Sequence, residues 1–97
     1  MAQKKYYAGD TVRIIFSFFD YGNELVDPTI VKVLFYNSKF VKIGEAVMGA
    51  DNKISTGNYY YDYTSSSSYR DTLYYETYGE VNGFPSISRA SMEFVFI

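Results

Sequence analysis

The chain has 97 residues, enough for one domain with its own core and too few for two. Its net charge of −2, from 9 basic and 11 acidic residues scattered along the length, excludes a generic phosphate-binding surface. There is no Cys and no His, so disulfides, thiolate metal sites and imidazole acid–base chemistry are excluded, and no apolar run approaches the roughly 20 residues of a membrane helix.

Met1-Ala2-Gln3-Lys4-Lys5 lacks the apolar stretch of a signal peptide, and residues 1–8 read as an N-terminal arm on a single domain spanning 1–97. Thr11 to Phe19 alternates at period two, with Val12, Ile14, Phe16 and Phe18 on one face and Arg13, Ile15, Ser17 and Phe19 on the other. Turn chemistry follows in Asp20-Tyr21-Gly22-Asn23, where Gly22 and Asn23 tolerate positive φ. In Asp27-Pro28-Thr29 the proline has no N–H to pair, and Asp27 reads as the cap of a tight turn. A strand over Ile30 to Tyr36 sets Val31, Val33 and Phe35 against Lys32, Leu34 and Tyr36. Residues 37 to 48 read as a bulged or broken strand around Gly44.

Ser55-Thr56-Gly57 predicts a turn into the most aromatic stretch, with Tyr59, Tyr61 and Tyr63 on one face and Tyr60, Asp62 and Thr64 on the other. Gly57 is expected at positive φ or beneath a closely approaching backbone. Ser65 to Ser68 reads as a solvated loop tip. From Thr72 to Tyr78, Leu73, Tyr75 and Thr77 oppose Tyr74, Glu76 and Tyr78, Gly79 to Pro85 reads as a loop, and a last strand runs from Ser88 to Ile97. Six or seven strands without helical periodicity predict an all-β antiparallel sandwich, with a small closed β-barrel as the alternative. Its expected core is Val12, Ile14, Phe16, Phe18, Val31, Val33, Phe35, Tyr59, Tyr61, Leu73, Tyr75, Phe94 and Phe96.

Four blocks in order carry a resemblance that spans nearly the whole chain: Tyr7-Ala8-Gly9-Asp10; Asp27-Pro28-Thr29 before Val31, Val33 and Phe35; Ser55-Thr56-Gly57 with Tyr59, Tyr61 and Thr64; and Leu73, Tyr75 and Gly79 followed by Val81-Asn82-Gly83. In these the chain resembles the small immunoglobulin-like structural proteins of tailed bacteriophages and prophages. It departs from them after Thr64, where Ser65 to Ser68 and Tyr69-Arg70-Asp71 stand in place of proline-containing turns. The resemblance implies an immunoglobulin-like sandwich and a non-enzymatic virion protein, made in the bacterial host cytoplasm, at the head–tail junction, on the capsid or in the tail.

The residues point the same way. Twelve Tyr and 8 Phe exceed what a small core requires, and the surplus suits either pleated strands or an interface. The usual nucleophile–base pairs are missing, so no catalytic residue and no cofactor is expected. Asp20, Glu24 and Asp27 cluster near a turn but lack the spacing of a calcium cage, so no metal is expected either. Exposed Tyr60, Tyr74 and Tyr78 allow a carbohydrate-binding module as the alternative function. Only Lys32, Arg70 and Arg89 lie near enough to the tyrosines to assist base stacking, which argues against nucleic-acid contact. The favoured reading is docking to other virion proteins and to copies of this chain through the outward rows Ile15, Phe19, Leu34, Tyr36, Tyr60, Tyr74 and Tyr78.

Overall fold

Strands with one apolar face cannot bury it alone; they pair laterally and then close face to face. The computed structural model of the protein describes residues 4–95. Its strands are β1 (Lys4–Tyr7), β2 (Thr11–Ser17), β3 (Val31–Tyr36), β4 (Lys42–Val47), β5 (Lys53–Ser55), β6 (Asn58–Thr64), β7 (Thr72–Val81) and β8 (Phe84–Val95). They form a five-stranded sheet in the order β1-β8-β7-β3-β4 and a three-stranded sheet in the order β2-β6-β5. The fold is therefore all-β with two separate sheets, and it is not closed into a barrel.

The core lies between the sheets. Val12, Ile14, Phe16 and Phe18 face Val31, Val33, Phe35, Leu73, Met92 and Phe94, with Tyr59 among them. Rings cross the interface: Phe35 packs 4.4 Å from Tyr63 and 5.8 Å from Tyr61, centroid to centroid. Tyr61 and Tyr75 are only partly buried and pack against the core rather than inside it, because long phenol side chains can keep their hydroxyls wet. Phe96 lies outside the described residues.

Four expectations need correction. First, residues 4–7 are no free arm, because they form β1, laid parallel along β8 with Lys4 opposite Met92 and Tyr7 opposite Val95. That strand and the short β5 raise the number of strands to eight among the described residues. Second, Gly79 to Pro85 is not a loop. The β7–β8 hairpin continues to Val81 and Phe84 around the two residues Asn82 (φ 54°) and Gly83 (φ 81°), an arrangement that matches the strands' own twist. Pro85 is tolerated there because it sits opposite Glu80, whose N–H and C=O bond Ile30 and Thr29 on the other side. The missing N–H of Pro85 thus faces the open edge of β8.

Third, Ser65 is no solvated tip. It is buried, its N–H donates to the Asp10 carbonyl at 3.1 Å, and its Oγ accepts from the Gly9 N–H at 2.7 Å. Fourth, Asp27 does not cap its own turn. Its carboxylate reaches across to the Gly57 N–H at 2.8 Å, the Tyr59 hydroxyl at 3.3 Å and the Lys53 ammonium at 2.6 Å, so two distant sequence blocks meet in one contact.

Gly57 does adopt positive φ (77°), and it is closely approached as well. A Cβ there would stand 2.9 Å from the Val26 nitrogen and 3.0 Å from the Phe18 oxygen, both backbone atoms that cannot swing aside. Gly57→Ala is therefore expected to destabilise the protein by at least about 1 kcal/mol in a urea melt. Phe35→Ala, at 3% exposure, should cost about 3–5 kcal/mol. Hydrogen bonds from Lys53 and then from the Gly57 backbone hold the Asp27 carboxyl below its ordinary value of 3.8. A carboxyl lowered on folding contributes stability above its unfolded value and loses it as pH falls through the lower folded one. Asp27→Asn should thus lower the denaturation midpoint at neutral pH, and the gap to wild type should narrow as the pH drops below 3.8.

Candidate protein interface

Because alternate residues of β3, β4, β7 and β8 turn away from the core, the register of the five-stranded sheet defines its outer face row by row. One row runs Ile87, Tyr78, Lys32, Val47; the next Arg89, Glu76, Leu34, Glu45; the third Ser91, Tyr74, Tyr36, Lys42. Four of the seven residues expected at an interface, Leu34, Tyr36, Tyr74 and Tyr78, therefore share this face. Ile15 and Tyr60 are cross-strand partners on the outer face of the other sheet. Phe19 belongs to neither group; it lies beside Tyr21, Val81 and Phe84 at the β7–β8 turn.

One residue the sequence reading passed over completes the larger face. Phe40 falls within the bulged strand expected over residues 37 to 48, but it sits in the β3–β4 turn with φ 62°, a conformation rare for a bulky residue. The turn is held by Asn37, whose side-chain oxygen accepts the N–H groups of Lys39 (2.9 Å) and Val41 (3.0 Å) while its carbonyl accepts that of Phe40 (2.9 Å). Asn37-Ser38-Lys39 was the available signal for this turn. The strand then carries its bulge at Ile43, one residue before Gly44. Phe40 is 69% exposed yet stacks on Tyr74, with centroids 4.6 Å apart and planes 28° apart. With Tyr36, Glu76, Arg89 and Ser91 it rims an open concavity of about 510 Å³.

Charge on this face is paired. Arg89 Nε donates to Glu76 at 2.8 Å, Lys42 bonds Glu45, and the Lys32 ammonium stands 5.6 Å from the centre of the Tyr78 ring. The Lys42 bond holds the Glu45 carboxyl below the usual range, so the pair persists into mild acid. On the other sheet, Arg13 grips Asp62 through Nε (2.8 Å) and Nη2 (2.9 Å) and lies 4.2 Å over Tyr60, which lowers the Asp62 carboxyl in the same way. Both faces thus present large rings beside ion pairs, with Lys32 held near a ring instead of a carboxylate.

The acidic cluster has structural work. Asp20 accepts the N–H groups of Gly22 and Glu24, closing a turn with Asn23 at φ 61°, and Asp27 is engaged as described. Among the described residues no group of acidic side chains is placed to hold a metal ion, and no helix is long and apolar enough to cross a membrane. Comparison with protein-family models, with curated proteins and with solved structures finds no match to this chain.

Phe40→Gly removes one ring stack, worth about 0.5–1.5 kcal/mol, and relieves left-handed strain of about 1–2 kcal/mol. Its thermal stability should stay within about 1 kcal/mol of wild type, whereas a purely structural Phe would cost several when truncated.

Proposed function

We propose that this protein is a non-catalytic structural component of a tailed-bacteriophage particle, docking through its aromatic sheet faces to other virion proteins and to copies of itself. The observation that carries the reading is the outer face of the five-stranded sheet, which Tyr36, Tyr74, Tyr78 and Leu34 share, with Phe40 stacked on Tyr74 and Arg89 paired with Glu76. A solvated sheet face ordinarily carries small polar groups; tyrosine instead gives broad contact at low rotamer cost and tolerates water until covered.

The strand order supports an immunoglobulin-like sandwich. Three strands β2-β6-β5 opposite β8-β7-β3, extended by β4, follow the variable-type arrangement of that fold, with β1 running parallel to the last strand. Tyr69, in the connection between β6 and β7, closes its corner by donating its hydroxyl to the Thr72 carbonyl at 2.7 Å and stands edge-on to Phe94.

Carbohydrate binding fits less well. A sugar platform needs a bare ring, yet Tyr74 is stacked under Phe40 and Tyr60 under Arg13, and a lysine ammonium lies near Tyr78.

The chain is expected in purified virions by mass spectrometry. Tyr36→Ser, Tyr74→Ser and Tyr78→Ser combined should leave a folded domain whose incorporation into particles falls at least tenfold. Absence from virions, or unchanged incorporation of the folded triple variant, would overturn the reading.

A further inference from the structure

The tip of the β7–β8 hairpin carries the one Asn-Gly pair in the chain, Asn82-Gly83, with both residues at positive φ. Asparagine is among the chemically labile residues, because the backbone nitrogen of the residue that follows can displace ammonia from its side-chain amide. Reactivity at a given Asn depends on the bulk of that next residue and on whether the amide and the attacking N–H are already engaged.

Four of the five asparagines are held or hindered. Asn37 Oδ1 accepts the N–H groups of Lys39 and Val41. Asn52 donates to the Tyr60 carbonyl and accepts from the Gly49 N–H, and Asn58 donates to Ser55 Oγ and accepts from the Ser17 hydroxyl. At Asn23 the attacking nitrogen would be that of Glu24, which already donates to Asp20 at 3.1 Å. Each of these four is followed by a residue with a side chain. Asn82 differs on every count. It is exposed, as is Gly83, and among the described residues no hydrogen bond engages its amide or the Gly83 N–H. A Cβ built on Gly83 would meet nothing within 4 Å, so water reaches the pair from that side.

We infer that Asn82 is a site of spontaneous deamidation and that the hairpin turn governs its rate. The Gly83 nitrogen gives its proton to solvent base and bonds to Asn82 Cγ; the Cγ–Nδ2 bond then breaks, and the amide takes up a proton and leaves as ammonia. Water opens the resulting succinimide at either carbonyl. Cleavage between Cγ and the Gly83 nitrogen leaves aspartate on an ordinary backbone, whereas cleavage at the main-chain carbonyl leaves isoaspartate, whose backbone runs through Cγ. One water is consumed and one ammonia released, with no oxidant or reductant. Either product adds one carboxylate, taking the net charge from −2 to −3.

Two positive φ values in a two-residue loop define a type I′ turn, which sets ψ of the first residue near about +30°. There the Gly83 nitrogen stands nearly opposite Asn82 Cβ about the Cα–C bond, while a five-membered ring needs both on the same side. Ring closure therefore requires the turn to open and the adjacent Val81–Phe84 pair to part. Hairpin tips open more readily than sheet interiors, so the fold slows the reaction without preventing it.

The products differ in what they do to the fold. Aspartate keeps the turn, since Asp-Gly suits type I′ as Asn-Gly does. Isoaspartate adds a methylene to the main chain of a loop whose two-residue length fixes the register, so Val81 and Phe84 no longer align. Val81 is buried and lies beside Phe19 and Phe84, so the change reaches the aromatic end of the molecule.

The test incubates the full chain in warm, mildly alkaline buffer and follows each asparagine by peptide mapping, beside the free peptide Glu-Val-Asn-Gly-Phe-Pro. Asn82 should convert first, at least about tenfold ahead of the other asparagines and about tenfold behind the peptide, a lag that urea unfolding abolishes. After separation by ion exchange, the aspartyl form should melt in urea like Asn82→Asp made directly, and the isoaspartyl form at a lower midpoint. The inference is overturned if another asparagine converts first, if Asn82 stays intact while the peptide converts, if folded chain and peptide convert at one rate, or if the isoaspartyl form is as stable as the aspartyl one.

Discussion

Much of this fold hangs on how closely three backbone segments cross at Gly57. Its carbonyl takes the Phe18 N–H, its own N–H goes to Asp27, and the Val26 N–H bonds the Phe18 carbonyl within the same crossing. Any side chain at Gly57 would push apart the end of β2, the segment entering β3 and the start of β6. Since these connect one sheet to the other, the crossing sets how the sheets sit across their core. Phe18 lies at this junction with Phe16 and Tyr59 edge-on around it, at centroid distances of 5.8 and 6.0 Å. The polar crossing and the aromatic cluster therefore position one another, and the Asp27 carboxylate ties both to Tyr59.

From that frame the aromatic surplus divides into two populations. Inward rings on β2, β3, β6 and β8 fill a thin core in which tilted and edge-on contacts replace bulk. Outward rings on β6 and β7 lie against cations or, for Tyr74, against Phe40 of the β3–β4 turn. The pairing of Arg89 with Glu76 and of Lys42 with Glu45 matters because an isolated charge on a covered face would lose hydration without compensation. Pairing lowers the electrostatic cost of covering such a surface without removing it.

How legible this was depended on the range of each interaction. Facing along a strand is local, so Val12, Ile14, Phe16 and Phe18, and likewise Val31, Val33 and Phe35, were readable from alternation alone. Strand order is not local, and nothing in the spacing of Ile15, Tyr60, Leu34 and Tyr74 tells which share a sheet; the structure divides them between two faces. Asn82-Gly83 is a strong hairpin signal that was hidden by Pro85 and a second glycine nearby, because the harmless placement of that proline follows only from the partner's hydrogen bonding. Ser65 and Asp27 were misread for the same reason: their partners, Gly9 and Gly57, lie far away in sequence. Phe40 shows the converse, a local turn overlooked because the residue's bulk suggested a strand.

The parallel seam between β1 and β8 has a mechanical side. Both strands run the same way, with Lys4 beside Met92 and Tyr7 beside Val95, and the Ala8 N–H adds a bond to the Val95 carbonyl at 2.8 Å. Tension drawing Lys4 backward and Val95 forward would slide the two strands lengthwise, straining every bond of the seam together instead of peeling them one at a time. Two antiparallel strands pulled from one shared end would unzip in sequence under a far smaller force. A chain tethered at both ends would resist stretching through this seam first, with the Tyr6 and Phe94 rings, 6.0 Å apart, packed beneath it.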